Sequence, residues 1–170
     1  FGGPIIEDTL FFFGAYERTQ QDTTQSVNTL GRYPAPDGVF PTPMRENLFT
    51  AKGSANLTPT QYLSVRYGRN TNSQVYAAGT RRVPESWGDS TNGFNSINLN
   101  HNWVVGGSKL NEFVFQYADF ANQVTARTGD AQQSYPNGVT IGYNTNTPQT
   151  TEQKKWQFRD DFSWSKTGMG

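Results

Sequence analysis

The chain has 170 residues, with 14 Lys and Arg against 14 Asp and Glu, a formal net charge of zero and only 16% charged residues. That balance excludes the basic surface of a nucleic-acid binder. Leu, Ile, Val and Phe number 33, low enough to suggest disorder, but 14% aromatic residues and zero net charge exclude that as well.

Asn, Gln, Ser and Thr together number 58, beside 12 Phe, 8 Tyr and 4 Trp. Such a mixture suits strands that are wet on one side. There is no cysteine, so neither a disulfide framework nor a thiolate metal site is possible. No run approaches the ~18 apolar residues of a membrane-spanning helix, and the first residues lack a signal-peptide pattern. A membrane barrel stays open. The chain starts on Phe1-Gly2-Gly3-Pro4 and stops on Gly168-Met169-Gly170 without an initiator Met, which reads as a window from something longer.

Six segments carry apolar residues at alternate positions, the period of a strand. In the first, Leu10, Phe12 and Tyr16 share one parity while Phe11 and Phe13 fill the other, so both of its faces are expected to be covered. The second sets Phe49, Ala51, Ala55 and Leu57 against Lys52, Ser54 and Asn56, and the third sets Leu63, Val65 and Tyr67 against Ser64, Arg66 and Asn70. The fourth alternates Ile97, Leu99, Trp103 and Val105 with Asn98, Asn100 and Asn102. Phe113, Phe115 and Tyr117 alternate with Glu112, Val114 and Gln116 in the fifth. In the sixth, Trp156, Phe158, Phe162 and Trp164 alternate with Gln157, Arg159, Asp161 and Ser163. Proline cannot donate to a sheet ladder, and all nine prolines are expected outside the strands.

The connections follow their own order. Long ones near 20–46, 73–92 and 122–151 are separated by turns at Thr58-Pro59-Thr60 and Gly106-Gly107-Ser108. Strands of ~10 residues with short turns at one rim and long loops at the other predict an all-β fold, an antiparallel up-and-down transmembrane β-barrel segment. Tyr62, Tyr67, Trp103, Trp156 and Trp164 fall near strand ends, where an amphipathic ring suits a bilayer interface. About six strands cannot close such a barrel, so a larger one is expected. The alternative is a secreted or surface β-sandwich that binds glycan or protein through exposed aromatics.

Catalytic chemistry finds little support. His101 has no second His or Cys with which to share a metal, and it reads as a packed or interfacial residue. Asp160 and Asp161 are adjacent on a strand, point to opposite faces and cannot flank one substrate. Asp160 falls on the apolar parity, which predicts a place near a rim or against neighbouring protein. Arg81-Arg82 reads as a solvated loop tip. No nucleophile, base and orienting group can be assembled, so no enzyme, cofactor or metal site is expected.

Three stretches resemble the TonB-dependent outer-membrane receptors of the Oar-like type. Phe1 to Glu17 (FGGPIIEDTLFFFGAYE) is similar to the junction from plug into first barrel strand, Phe49 to Tyr67 (FTAKGSANLTPTQYLSVRY) to the following hairpin, and Gln157 to Trp164 (QFRDDFSW) to a later strand. Asn98 to Val105 and Leu110 to Phe113 resemble a strand pair of the same family. The resemblance implies that residues 1–8 lead from a missing plug domain and residues 9–170 form part of the barrel in a bacterial outer membrane. It implies import of a large or scarce substrate, with outer-membrane lipid, the protein's own plug, the remaining strands and the TonB complex as partners. On that reading Lys52, Arg66, Asn98, Asn100, Asn102, Gln116, Arg159 and Asp161 face the lumen and touch the plug. Leu63, Val65, Leu99, Trp103, Phe113, Phe115, Phe158 and Phe162 face lipid. The transported ligand is not encoded in these residues.

Overall fold

In a computed structural model of the chain, residues 1–31 and 37–165 are described. Among the described residues eleven strands form: β1 (Gly2–Ile6), β2 (Leu10–Gln21), β3 (Thr24–Val27), β4 (Gly38–Pro41), β5 (Met44–Thr58), β6 (Gln61–Tyr76), β7 (Gly88–Val105), β8 (Lys109–Ala126), β9 (Gln133–Ser134), β10 (Thr140–Ile141) and β11 (Gln149–Trp164). No α-helix occurs among the described residues, only a single 3-10 turn at Pro84–Ser86. Seven strands make one antiparallel meander in the order β1-β2-β5-β6-β7-β8-β11, and two small hairpins, β3-β4 and β9-β10, lie in the connections. The sheet is open, with β1 at one edge and β11 at the other.

All six expected segments are strands of this sheet. The expectation of six is corrected to seven, because Gly2–Ile6 is itself a strand, paired antiparallel with β2. Asp8 makes that hairpin possible by adopting a positive φ of 57° in the turn between Ile6 and Leu10. The proline expectation fails at two positions, Pro4 in β1 and Pro41 at the end of β4. Pro4 is tolerated because β1 is an edge strand and one row of its backbone groups needs no partner. Pro34 and Pro36 lie outside the described residues.

The strands are also longer than the expected ten or so residues, running to 18 in β7 and β8. Their extensions enter all three long connections from both sides. Gly106 and Gly107, at φ of 61° and 74°, turn the chain between Val105 and Lys109, a conformation that residues with a Cβ adopt at a cost. The turns at 7–9, 59–60 and 106–108 share one rim: Asn56 N donates to Thr9 O at 2.8 Å and Val104 N to Thr60 O at 2.9 Å.

Most of the buried core lies off the large sheet, which contributes Val124, 2% exposed, from the loop end of β8. Val27, Val83, Trp87 and Val139, all at most 2% exposed, lie in or beside the three long connections. Those connections are joined by backbone bonds, Asn28 N to Thr80 O (2.7 Å), Thr140 N to Arg81 O (2.9 Å) and Val83 N to Thr140 O (3.2 Å). They form one cap at the rim opposite the short turns.

Candidate functional site

Residues paired across neighbouring antiparallel strands share a face, and successive residues alternate between faces. The register therefore sorts the sheet into rows. One row runs Phe12, Gly53, Val65, Leu99, Phe115, Phe158; the next on the same face runs Ala55, Leu63, His101, Phe113, Asp160. Below them Gln61, Trp103, Asn111 and Phe162 are aligned. All eight residues expected to be apolar-facing fall together here.

The opposite face carries the row Lys52, Arg66, Asn98, Gln116, Gln157, the row Ser54, Ser64, Asn100, Val114, Arg159, and the row Asn56, Tyr62, Asn102, Glu112, Asp161. All eight residues assigned to the lumen side lie on this face. Arg159 Nε reaches Asp161 Oδ2 at 2.8 Å, so two of the eight pair with each other. Asn100 and Asn102 each keep a buried Oδ1 with no hydrogen-bond partner among the described residues. An unmet buried acceptor costs ~1–3 kcal/mol, so both positions favour a donor supplied from outside this sheet.

Among the described residues no second layer covers the first segment on either face, and only the Phe1 ring, 5.4 Å from that of Phe12, packs on it from outside the strand pairing. Phe11 and Phe13 join the polar face, opposite Ser54 and Lys52, and Phe13 is 47% exposed.

The apolar rows are bounded by aromatics. Tyr67, Ile97, Tyr117 and Trp156 make the row above Leu99, with Tyr117 and Trp156 centroids 4.4 Å apart, while Trp103 and Trp164 lie at the short-turn end. Tyr67 Oη donates to Asn95 Oδ1 at 2.9 Å and Tyr16 Oη to Asn47 Oδ1 at 2.7 Å, each one row further from the apolar centre. The phenols thus turn their polar atoms out of the belt. Phe158 is 70% exposed and Trp156 61%.

Asp160 sits on this apolar face in the open-edge strand, where Asn111 Nδ2 donates to its Oδ1 at 2.7 Å. Its expected position near a rim or beside protein is only partly met: it lies four residues from the end of β11, with its outer side unpaired.

Towards the loop rim both faces become polar. On the polar face Glu46, Asn72, Asn92 and Asn122 form one row, and Asn122 Nδ2 donates to Asn92 Oδ1, and Asn92 Nδ2 to Asn72 Oδ1, each at 2.7 Å. Asn70 Nδ2 donates to Glu46 Oε1 at 2.7 Å. This amide ladder across four strands was not among the expected site residues. Its signal in the sequence was the continuation of the even-numbered Asn parity at 70, 72, 92 and 122.

The cap is centred on Trp87. Its ring meets Phe40 edge-on at 6.1 Å, the Arg127 guanidinium lies 5.6 Å from its centroid, and its Nε1 donates to Arg82 O at 2.9 Å. Arg127 also grips Asp89 through Nε at 2.9 Å and Nη2 at 2.5 Å. The expectation of a solvated tip at Arg81-Arg82 holds for Arg81, exposed in a turn while donating to Asn137 O, and is corrected for Arg82, which is half-buried with its backbone bridged to Thr140. Loop residues read singly do not reveal such contacts. Asp37 accepts from Thr29 N at 2.6 Å and Thr29 Oγ1 at 2.7 Å, and these bonds to its charged form, the hydroxyl's first, hold its carboxyl below the usual carboxylate range.

Searches of protein-family models, of curated proteins and of solved structures find no match to this chain.

Proposed function

We propose that this sheet is an arc of the wall of a transmembrane β-barrel in a bacterial outer membrane, part of a TonB-dependent receptor that imports a large or scarce substrate. The observation that carries the barrel reading is the apolar face, bounded by aromatics at both ends and overlaid by no second layer among the described residues. From Trp156 to Trp164 the β11 backbone advances eight residues. That is about 27 Å along a strand, or roughly 20 Å after a 35–45° tilt, comparable with the ~25 Å apolar band of such barrels. A soluble sandwich would need a second sheet over the same face.

The receptor type rests on the resemblance of Phe1 to Glu17 and Phe49 to Tyr67. On this reading the lumen is the face of Lys52, Asn98 and Gln116, the short turns are periplasmic, and the cap faces outward. A plug, further strands and the TonB complex complete the machine. The pairing of Gly2–Ile6 with β2 places a strand where a junction was expected, and the plug then enters before Gly2. Extraction of source membranes tests the proposal, with electrophoresis before and after heating. A heat-modifiable chain heavier than these 170 residues, released only by detergent, is the expected result. A water-soluble species of this size would overturn the proposal in favour of a β-sandwich.

A further inference from the structure

The centre of the polar face carries two cations, Lys52 and Arg66, with no ion pair to any described residue. Lys52 and Arg66 are directly opposite across β5 and β6. Lys155 occupies the adjacent row with Thr50, Gly68, Ser96 and Ala118, and Arg159 the adjacent row on the other side. Across those three rows the sheet presents no Asp or Glu on this face. One row beyond, Glu112 and Asp161 lie side by side on this face, and Asp161 is engaged by Arg159.

Like charges directly opposite one another on a sheet destabilise the pairing, and an anion between them reverses the sign. A hollow of about 440 Å³ lies at this place, bordered by Phe13, Lys52, Ser64, Arg66, Asn98 and Asn100, and the unmatched Asn100 Oδ1 there suits a protonated oxygen of the bound group or a water beside it. Its size falls in the range of small-solute sites. The Lys52 ammonium, Arg66 guanidinium, Ser64 hydroxyl and Asn98 amide supply donors of complementary kinds. None of these four side chains is engaged by another described residue. Guanidinium offers a planar fork that matches two oxygens of one anion, and ammonium adds a point charge free to rotate its donors.

We propose that this hollow binds a small oxyanion, the phosphate or carboxylate group of a soluble solute. The placement follows from the register and the hollow, so the proposal goes beyond the transporter reading, on which only the use of detergent in its test rests. Lys155, in the adjacent row, adds positive charge that raises the local anion concentration.

Calorimetric titration of the detergent-purified full protein with inorganic phosphate at low ionic strength tests it. The comparison is with Lys52→Gln/Arg66→Gln and with Arg69→Gln/Lys154→Gln, whose two cations share a row on the opposite face. Saturable binding is expected, displaced by acetate, weakened about tenfold or more in the first double variant and unchanged in the second. Absence of saturable binding, or equal weakening in both variants, would overturn the site. A poly-glutamate peptide that binds through Lys52 and Arg66 where phosphate does not would reassign the face to a polypeptide carboxylate and defeat the small-solute proposal. Strand circular dichroism of each variant verifies folding. The heating assay on the same samples reports separately on the barrel reading.

Discussion

Single side chains divide by depth and by face. Leu99 sits at the middle of the apolar rows, and Asn100, the next residue, turns to the polar face. Leu99→Arg is expected to cost roughly 2–4 kcal/mol of stability in vesicles, and Asn100→Arg far less, read from urea unfolding of the refolded protein. Equal costs would remove the membrane assignment. Asp37 gives a pH prediction of known sign. Its carboxyl is held below the ordinary value of 3.8 by Thr29. Its stabilising contribution is therefore complete above that ordinary value and is lost as pH falls through the lowered one. Amide exchange at Thr29 should accelerate over that acidic range in the native protein, and Asp37→Asn should flatten the dependence.

At the level of elements, what could be read in the sequence was set by contrast between parities. Ile97 to Val105 alternates large apolar with Asn, so β7 was legible there. Its first half, Gly88 to Ser96, is polar on both faces apart from Phe94 and carries no period-two signal, which is why the strand was expected to begin later. The same holds for Thr71 to Ser73 in β6 and for Asn122-Gln123 in β8. β1 was hidden by the rule that excludes proline from strands, a rule that edge strands escape. The cap was illegible for a different reason. Val27, Val83, Trp87 and Val139 come from three separate connections, and no local pattern announces that they meet. Trp87→Ala should cost about 3–5 kcal/mol within the cap, by loss of its burial and the cavity left behind. Hydrogen exchange would show lost protection at Asn28, Val83 and Thr140, while protection within β6 and β7 persists; loss spread evenly over the sheet would refute an independent cap. Gly142→Ala is a second probe, because a Cβ there would lie 2.3 Å from Ala131 O and the φ is 74°. It should open the third connection and leave the short-turn rim unchanged by the same readout.

For the whole molecule, the unpaired length matters most. All 16 residues of β11 are exposed, and its outer backbone groups have no partner strand among the described residues. A long edge carrying Trp156, Phe158, Phe162 and Trp164 is a template for further pairing. In dilute aqueous buffer without detergent, the 170-residue chain is expected to associate through that edge, seen as concentration-dependent sedimentation. Arg or Lys at alternate apolar positions of β11 should suppress it. A monodisperse monomer would show that the edge is covered in some other way. The order of strands in the large sheet is also their order along the chain, apart from the two small hairpins. Each strand therefore finds its template already laid by the one before it, and the sheet can be stitched from its N-terminal hairpin forward, one strand at a time. Interruption at any point leaves a shorter sheet with the same kind of growing edge, a geometry suited to processive assembly rather than all-or-none collapse.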